Sequence, residues 1–272
     1  MSPYQRFTRF LTVALKIILP PLCAPILLPY LCSHMKTITI NQLSIGYRGK
    51  VIAGNLNGEV QSGQLTCLLG TNGVGKSTLL RTIAGLQPML QGEIALHGED
   101  AGTMIVSELS KGEMARRVAV VLTELPDVRQ FFVEQVVGMG RLPYTGFFGR
   151  LSRKDLQIVD NALTQVGIPA FAHRRFDALS DGERQKVMIA KALAQQTPII
   201  LLDEPTAFFD YPSKVEIMRV LRHMANSMNK TILLSTHDLN LALHYADRLL
   251  MLEQGLREIS KKELESYLQK LI

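Results

Sequence analysis

The sequence has few cysteines, little excess charge and no uninterrupted apolar run of membrane-spanning length. Three cysteines occur in 272 residues, and Cys67, inside an apolar stretch, fits a thiol in a reducing cytoplasm. The formal net charge is only +6, which does not indicate a nucleic-acid partner. No internal repeat or low-complexity linker divides the sequence. The length therefore predicts one compact domain with a subdomain.

Residues 1–34 combine basic residues with an apolar stretch, which leaves three interpretations. A membrane-spanning helix is disfavoured because Lys16 and four prolines interrupt the run, and a span needs about 20 apolar residues. A signal peptide would have the charged start, but no clear small-x-small cleavage site follows it. We favour an N-terminal extension, lying upstream of a translation start at Met35 or disordered, over a membrane-associated tail.

Short apolar runs predict the strands of a sheet that is buried on both faces. These runs lie at Leu65–Leu69, 199–202 and Thr231–Ser235. Alternating polar and apolar residues over 37–47 predict half-buried antiparallel strands. Helices are predicted after caps at Ser152 and Ser260 and over residues 187–194.

A glycine-rich loop joins the apolar run at Leu65–Leu69 to a following helix. Its glycines let the backbone fold around an anion, so that N–H groups and the positive helix end point inward. Lys76 adds a charge for the outer phosphates, and Ser77 offers a hydroxyl to the Mg²⁺ that accompanies a nucleoside triphosphate. The pattern predicts a phosphate cradle rather than a chance turn. Its members are Gly70, Thr71, Asn72, Gly73, Val74, Gly75, Lys76, Ser77 and Thr78.

Two adjacent carboxylates follow the apolar run at 199–202. Asp203 is suited to hold Mg²⁺, directly or through water. Glu204 is suited to act as general base on the water that attacks a γ-phosphate, or to orient that water. The alternative is an acidic turn after a core strand, which the phosphate loop upstream disfavours.

Residues 179–185 predict a helix start, with Ser180 at the N-cap and acids in the first turn. This segment resembles the signature sequence of the ATP-binding cassette (ABC) ATPases, which usually reads Leu-Ser-Gly-Gly-Gln. It departs from that pattern at Asp181 and Glu183.

The resemblance implies that ATP is shared between two copies of the chain in a head-to-tail dimer. Ser180 and Gly182 of one copy would contact the γ-phosphate held by the other through helix-end donors. We expect the carboxylates of Asp181 and Glu183 to point away from that phosphate, and Arg184 to offset some of their charge.

Four further residues match functional positions of the family. Tyr47 matches the aromatic residue that stacks on adenine, with a core-facing strand residue as the alternative. His237 matches the histidine that contacts the γ-phosphate and helps to place the attacking water. Asp210 matches the aspartate that couples the two nucleotide sites, and it also suits a helix N-cap. Glu124 stands where the family has a glutamine near Mg²⁺, and is a metal-ligand candidate.

The resemblance implies an α/β fold, namely a P-loop NTPase (RecA-like) core with an antiparallel β subdomain and an inserted α-helical subdomain. The ABC ATPase domain would extend over 35–260, with the helical subdomain at about 126–195 and a C-terminal helix at 261–272. The implied cofactors are ATP and Mg²⁺. The implied catalytic residues are Glu204, His237 and Lys76.

Residues 140–144 resemble a Gly-Arg-x-Pro-His/Tyr stretch of cassettes that serve importers of ferric siderophores, haem and cobalamin. Alone, these residues indicate a proline-broken loop that is either a partner surface or a plain connection. The resemblance implies a separate multi-span permease docked there, and an indirect link to a substrate-binding protein. The chain would be a peripheral subunit at the cytoplasmic face of the inner membrane.

Two other functions share part of these motifs. A non-transport ABC ATPase, such as an iron–sulfur assembly or repair scaffold, would also carry the signature, although many repair and ribosome members carry a second cassette or a coiled-coil insertion. A nucleoside or sugar kinase needs only the phosphate loop and leaves residues 179–185 and His237 unexplained. We therefore expect the ATPase subunit of an importer.

Overall fold

The computed structural model describes residues 36–98, 102–126, 128–146 and 149–269. The interpretation of residues 1–34 as an extension concerns a part of the chain outside these ranges. The described residues form a four-stranded sheet, a six-stranded sheet and the helices packed on them.

The four-stranded sheet is antiparallel, with the order β2-β1-β4-β5. Its strands are β1 (Lys36–Tyr47), β2 (Lys50–Gln61), β4 (Gln91–Gly98) and β5 (Gly102–Ile105). A register shift between Ile40 and Leu43 marks a bulge in β1, where Gln42 has a φ of 45°. The bulge explains why the buried isoleucine and leucine positions change from even numbers, Ile38 and Ile40, to odd numbers, Leu43 and Ile45, along one continuous strand.

The six-stranded sheet has the order β10-β9-β3-β8-β7-β6. Its strands are β3 (Leu65–Leu69), β6 (Val118–Val121), β7 (Ile199–Asp203), β8 (Thr231–Ser235), β9 (Arg248–Leu252) and β10 (Leu256–Ile259). All neighbours are parallel except β10, which is antiparallel to β9. Every residue of β3, β7 and β8 is buried, as their continuous apolar runs predict. The carboxyl ends of these three strands therefore meet at one edge of the sheet.

Eight α-helices occur within the described residues. They are α1 (Lys76–Ile83), α2 (Lys111–Ala115), α3 (Val133–Gly138), α4 (Arg153–Gln165), α5 (Asp181–Ala194), α6 (Tyr211–Met228), α7 (Leu239–Tyr245) and α8 (Lys261–Gln269). Ser152 caps α4 by accepting from the Asp155 N–H, and Ser260 does the same for α8 at Glu263. In the described part of the chain, no helix is long and apolar enough to cross a membrane.

Two apolar cores cover the six-stranded sheet from opposite sides. Leu68, Leu201 and Leu233 face the core shared with α1 and the antiparallel sheet. Residues next to them in the strands face the second core, which includes α3 to α8. This layering is that of a P-loop NTPase and confirms the predicted α/β fold.

A buried arginine connects helices α4 and α5, which precede β7. Arg141, in a 3₁₀ turn at Met139–Tyr144, pairs through Nε with Asp155 Oδ1 at 2.9 Å and donates from Nη1 to the Ala194 carbonyl at 2.8 Å. Hydrogen bonds from Ser152, reinforced by Arg141, lower the pKa of Asp155 to about 2. The arginine of the 140–144 stretch thus points inward, whereas the side chains of Leu142 and Tyr144 are exposed.

Candidate functional site

The start of α1 presents N–H groups that no side chain of its cap satisfies. Its N-cap is Gly75, whose φ of 111° favours glycine, and the first turn contains no acidic residue. At Gly70 a Cβ atom would lie 2.4 Å from the Leu252 carbonyl oxygen, so the chain needs glycine there too. Free helix-start donors with no carboxylate nearby in the sequence form a natural anion cradle.

Lys76 lies across this loop with its ammonium held by backbone oxygens. Its Nζ donates to the Gly70 carbonyl at 2.8 Å and to the Thr71 carbonyl at 3.2 Å, and the residue is buried. The loop carbonyls are neutral, so the positive charge stays available for an incoming phosphate.

The carboxyl ends of β7 and β8 bring Ser77, Asp203 and Ser235 together. Asp203 Oδ1 accepts from Ser77 Oγ at 3.0 Å and from Ser235 Oγ at 2.7 Å. The hydroxyl of Thr123, after β6, donates to the Asp203 carbonyl at 2.9 Å. Asp203 is therefore held from three sides in the position predicted for a metal ligand beside the phosphate loop.

Glu204 follows in a left-handed backbone conformation, with a φ of 48°. Its N–H donates to Ser235 Oγ at 2.9 Å, and its Oε2 lies 2.8 Å from His237 Nδ1. Such a backbone costs a non-glycine residue on the order of 1 kcal/mol and persists where the surroundings hold it. The turn aims Glu204 away from the core and gives its carboxylate a histidine partner.

Sequence reasoning missed Ser235. This serine is fully buried and contacts both Asp203 and the Glu204 N–H. The available signal was a hydroxyl at the last position of an apolar strand, because the register pairs Ser235 with Asp203 across β8 and β7. Only the strand order shows that these two positions are neighbours.

The donor set near Ser77 suits Mg²⁺ bound together with a phosphate. The described residues contain no group of three or more His, Cys, Asp or Glu side chains placed to hold a metal ion. One hydroxyl and one carboxylate are what Mg²⁺ usually takes from a protein when phosphate oxygens and water complete its shell. Ser77 and Asp203 fit that requirement.

Tyr47 lies at the end of β1, beside the start of α1. Its hydroxyl oxygen is 3.5 Å from Thr78 Oγ1, and 46% of the residue is exposed. The ring therefore borders the loop instead of facing the core, which was the alternative. In the same loop Thr71, Asn72 and Gly73 are exposed, and Val74 packs against the core below the antiparallel sheet.

Glu124 is exposed just after Thr123, the residue that contacts the Asp203 carbonyl. Among the contacts of the described residues, none joins the Glu124 side chain to Ser77 or Asp203. The structure therefore places Glu124 at the correct edge of the sheet, and its role as a metal ligand stays a prediction.

The signature segment lies at the start of α5 and lines a separate cavity. This cavity, of about 450 Å³, is bordered by Ser180, Gly182 and Asp210, while no residue of the phosphate loop lines it. A Cβ atom on Gly182 would lie 3.3 Å from the Phe208 carbonyl oxygen, so glycine permits this close approach. Asp210 caps α6 by accepting from the Ser213 N–H at 3.1 Å, and hydrogen bonds from the Ser213 side chain and N–H lower the pKa of its carboxyl.

The acids of the signature segment have partners of their own. Glu183 accepts from the Ser180 N–H at 2.9 Å and pairs with Arg174 at 2.9 Å. Asp181 lies 3.4 Å from an Arg184 nitrogen, and Arg184 also donates to the Asp177 carbonyl. Arg184 thus offsets Asp181, as expected. The Glu183 carboxylate does not point away as expected, because it turns back onto Ser180, and the cation beside it is Arg174.

The structure brings Lys76, Ser77, Asp203, Glu204 and His237 into one continuous group. The second group, formed by Ser180, Gly182 and Asp210, opens to its own cavity. Within one chain the two groups are therefore separate.

Comparisons with known proteins agree with this geometry. A family model described as "ABC transporter" matches residues 53–207. The achromobactin transport ATP-binding protein CbrD of Dickeya dadantii (strain 3937) is 41% identical, over 79% of this chain and 78% of that protein. The iron(3+)-hydroxamate import ATP-binding protein FhuC of Bacillus subtilis (strain 168) is 36% identical, over 81% of this chain and 80% of that protein.

A solved structure shows the same fold. It is an inward-facing conformation of a putative metal-chelate type ABC transporter, with a TM-score of 0.72 and 27% identity. The match covers 84% of this chain and 85% of that chain.

Proposed function

The chain belongs to the ABC transporter family and is an ABC-type ATPase, and from this premise we propose that it is the ATP-hydrolysing subunit of an importer. The observation that carries the catalytic part is the hydrogen-bonded series from Ser77 through Asp203 and Ser235 to Glu204 and His237. It lies directly beside the uncapped start of α1.

The residues of this site have different roles in the proposed reaction. The loop N–H groups and Lys76 bind the phosphates, and Ser77 with Asp203 would hold Mg²⁺, which neutralises charge on the phosphate oxygens. Glu204 accepts the proton of the attacking water or orients that water, and His237 holds the carboxylate in place. Tyr47 supports the adenine, and Glu124 would add a carboxylate ligand to the Mg²⁺.

We propose that a second copy of the chain completes the site in a head-to-tail arrangement. Ser180 and Gly182 of that copy would face the γ-phosphate, and Asp210 would link the two sites. Support comes from the exposure of Ser180 at a helix start and from the open cavity beside it. ATP would close the dimer, and hydrolysis would reopen it.

We propose that the transported substrate is an iron–siderophore complex, with haem or cobalamin as related candidates. Support comes from the transport functions for which the relatives that align over most of this chain are named. These names do not favour a non-transport scaffold. A separate multi-span permease would dock on the exposed Leu142 and Tyr144 surface, at the cytoplasmic face of the membrane, and a substrate-binding protein would act through it.

Co-purification and growth would test this function. Tagged chain extracted with mild detergent should retain a many-span membrane protein, and deletion of its gene should abolish growth on one ferric chelate as sole iron source. The wild-type gene should restore growth, whereas the Lys76→Ala gene should not. A cytosolic complex alone, together with normal growth on ferric chelates, haem and cobalamin, would contradict the proposal.

A further inference from the structure

A carboxylate occupies the donors of Ser180, one of the two residues that the proposed dimer assigns to phosphate. Glu183 Oε2 accepts from the Ser180 N–H at 2.9 Å and from Ser180 Oγ at 3.1 Å, while the Glu183 N–H donates back to Ser180 Oγ at 3.3 Å. A hydroxyl has one proton and cannot donate it to two acceptors at once. A phosphate that accepts from the Ser180 hydroxyl must therefore displace Glu183 as the acceptor of that hydrogen bond.

The charge of Glu183 adds to this competition. Hydrogen bonds from Ser180 and Arg174 hold the pKa of Glu183 below its usual value, so the carboxylate is charged at neutral pH. Two more acids, Asp181 and Asp210, line the same cavity. The lysine of the cavity, Lys186, is paired with a carboxylate outside it, because its Nζ lies 2.7 Å from Glu216. Because Arg174 pairs with Glu183 and Arg184 with Asp181, a second anion at Ser180 must compete with carboxylates for the cations nearby.

Arg174 is placed to counter the charge of Glu183. Its Nη1 lies 2.9 Å from Glu183 Oε1, the oxygen that Ser180 does not use, and its guanidinium packs 4.6 Å from the centre of the Phe171 ring. The two oxygens of one carboxylate are thus divided between the serine and the arginine. Loss of the bond to the Ser180 hydroxyl would leave the bond to Arg174 intact.

We propose that Glu183 and Arg174 are positioning residues that set how tightly ATP closes the dimer. Glu183 acts as an internal stand-in for phosphate on Ser180 and opposes closure. Arg174 neutralises that carboxylate and favours closure. The proposal rests on the head-to-tail dimer of the proposed function, and it concerns only the strength of that dimer.

The start of α8 offers a matched control. There the Ser260 N–H donates to Glu263 Oε2 at 3.1 Å, the Glu263 N–H donates to Ser260 Oγ at 3.1 Å, and Arg257 pairs with Glu263 Oε1 at 3.0 Å. The same three residue types therefore make the same cap at a helix that does not border the cavity. Glu263→Gln measures the effect of the substitution on a helix start alone.

The test uses the full chain in a Glu204→Gln background, in which bound ATP should persist. Sedimentation velocity with saturating ATP gives the dimer dissociation constant. Glu183→Gln removes the charge that competes for the Ser180 hydroxyl and should tighten the dimer about tenfold, whereas Arg174→Gln leaves that charge unpaired and should weaken the dimer about tenfold. When Glu183→Gln is already present, Arg174→Gln should change the dimer dissociation constant by less than about twofold, because the carboxylate charge that Arg174 neutralises is gone. Arg174→Lys should stay close to the parent, and Glu263→Gln should have no effect.

A second readout separates positioning from general damage. Binding of a fluorescent ATP analogue at protein concentrations that keep the chain monomeric reports only the phosphate loop, and it should be the same in all variants. Thermal unfolding of Glu183→Gln should match that of Glu263→Gln.

Two results would overturn the inference while the dimer stands. One is a Glu183→Gln dimer that is no tighter than the parent. The other is an equal effect of Arg174→Gln with and without Glu183. If Glu204→Gln forms no dimer with ATP at all, the dimer of the proposed function is itself wrong and the inference falls with it.

Discussion

The first turns of α1 and α5 are both helix starts with exposed backbone donors, yet they are built in opposite ways. At α1 the cap is Gly75, which has no side chain to bond the first N–H groups, and no acid follows it. At α5 the cap is Ser180, which forms a reciprocal capping box with Glu183, and Asp181 adds a second acid. One helix start is left open for an anion, and the other is satisfied from within.

This difference predicts separate roles for the two regions, nucleotide binding at α1 and dimer closure at α5. Phosphate can enter the α1 cradle without displacing a side-chain cap, so one chain should bind nucleotide by itself. At α5 the Ser180 donors are already bonded to Glu183, so we expect this region to act only when a partner copy supplies phosphate. Nucleotide affinity and dimer closure are therefore expected to respond to different substitutions.

The largest expected effect comes from removing the cation of the α1 region. Lys76→Ala should weaken ATP binding by about 100-fold or more, because the phosphates lose their main side-chain charge. Isothermal titration with ATP would measure this, and Lys262→Ala, an exposed lysine of α8, serves as the control. Unchanged affinity would show that the α1 cradle does not hold the phosphates.

The next largest effect separates binding from chemistry within the same region. Glu204→Gln should retain ATP affinity but lower the turnover number by about 100- to 1,000-fold, because an amide cannot accept the proton of the attacking water. Phosphate release under saturating ATP is the measurement. Glu265→Gln, an exposed acid on α8, should hydrolyse at the normal rate. Normal turnover in Glu204→Gln would remove this residue from the mechanism.

A smaller effect is expected at the partner of Glu204. His237→Ala should lower the turnover number about tenfold with little change in ATP affinity, because Glu204 loses the side chain that lies 2.8 Å from its Oε2. His244→Ala on α7 is the matched control, since its Nδ1 contacts only the Asn240 carbonyl among the contacts in the described residues. If both variants behave alike, the Glu204–His237 contact has no catalytic role.

The smallest effect is expected at Asp155 in α4, which lies outside both the α1 and the α5 regions. Asp155→Asn should lower the free energy of unfolding by about 1 to 3 kcal/mol, because Arg141 would lose a charged partner. The folded-state pKa of Asp155, about 2, lies below the ordinary value of 3.8. Its contribution is therefore complete above about pH 4 and disappears as the pH falls towards 2.

Chemical denaturation across this pH range would show whether the contribution of Asp155 to the free energy of unfolding falls with pH. The difference between wild type and Asp155→Asn should shrink as the pH falls, whereas Asp160→Asn on the same helix should differ little from wild type at every pH. A difference that grows at low pH would contradict the assignment.

Much of the nucleotide-binding edge could be predicted because its signals are local. The apolar runs at Leu65–Leu69 and Thr231–Ser235 are strands in the structure with the same limits. The Gly70 to Ser77 loop joins a strand to a helix, as its sequence requires. Asp210 and Ser260 both cap helices where their sequence context predicts caps.

The rest depends on contacts between residues that are far apart in the sequence. Ser235 joins Asp203 and Glu204 only because β7 and β8 are neighbours in the sheet. The alternation of buried apolar residues shifts by one position at Gln42, and a bulge there keeps both halves in one strand. Arg174 reaches Glu183 across a 3₁₀ turn at Phe176–Ala178. Neither the strand order nor the Arg174–Glu183 pair leaves a periodic or compositional signal.

The central claim is that the α1 region of one copy acts together with the α5 region of another copy. Mixing two inactive variants tests this claim most directly. Lys76→Ala disables the α1 region, and Ser180→Arg fills the space at the start of α5, so each variant alone should hydrolyse almost no ATP. A mixed dimer retains one intact pairing, so an equal mixture should recover about a quarter of wild-type activity if copies pair at random and the sites act independently. Recovery on mixing is the result that this account predicts. If the mixture stays as inactive as its components, each chain uses its own signature segment or none, and the shared site is contradicted.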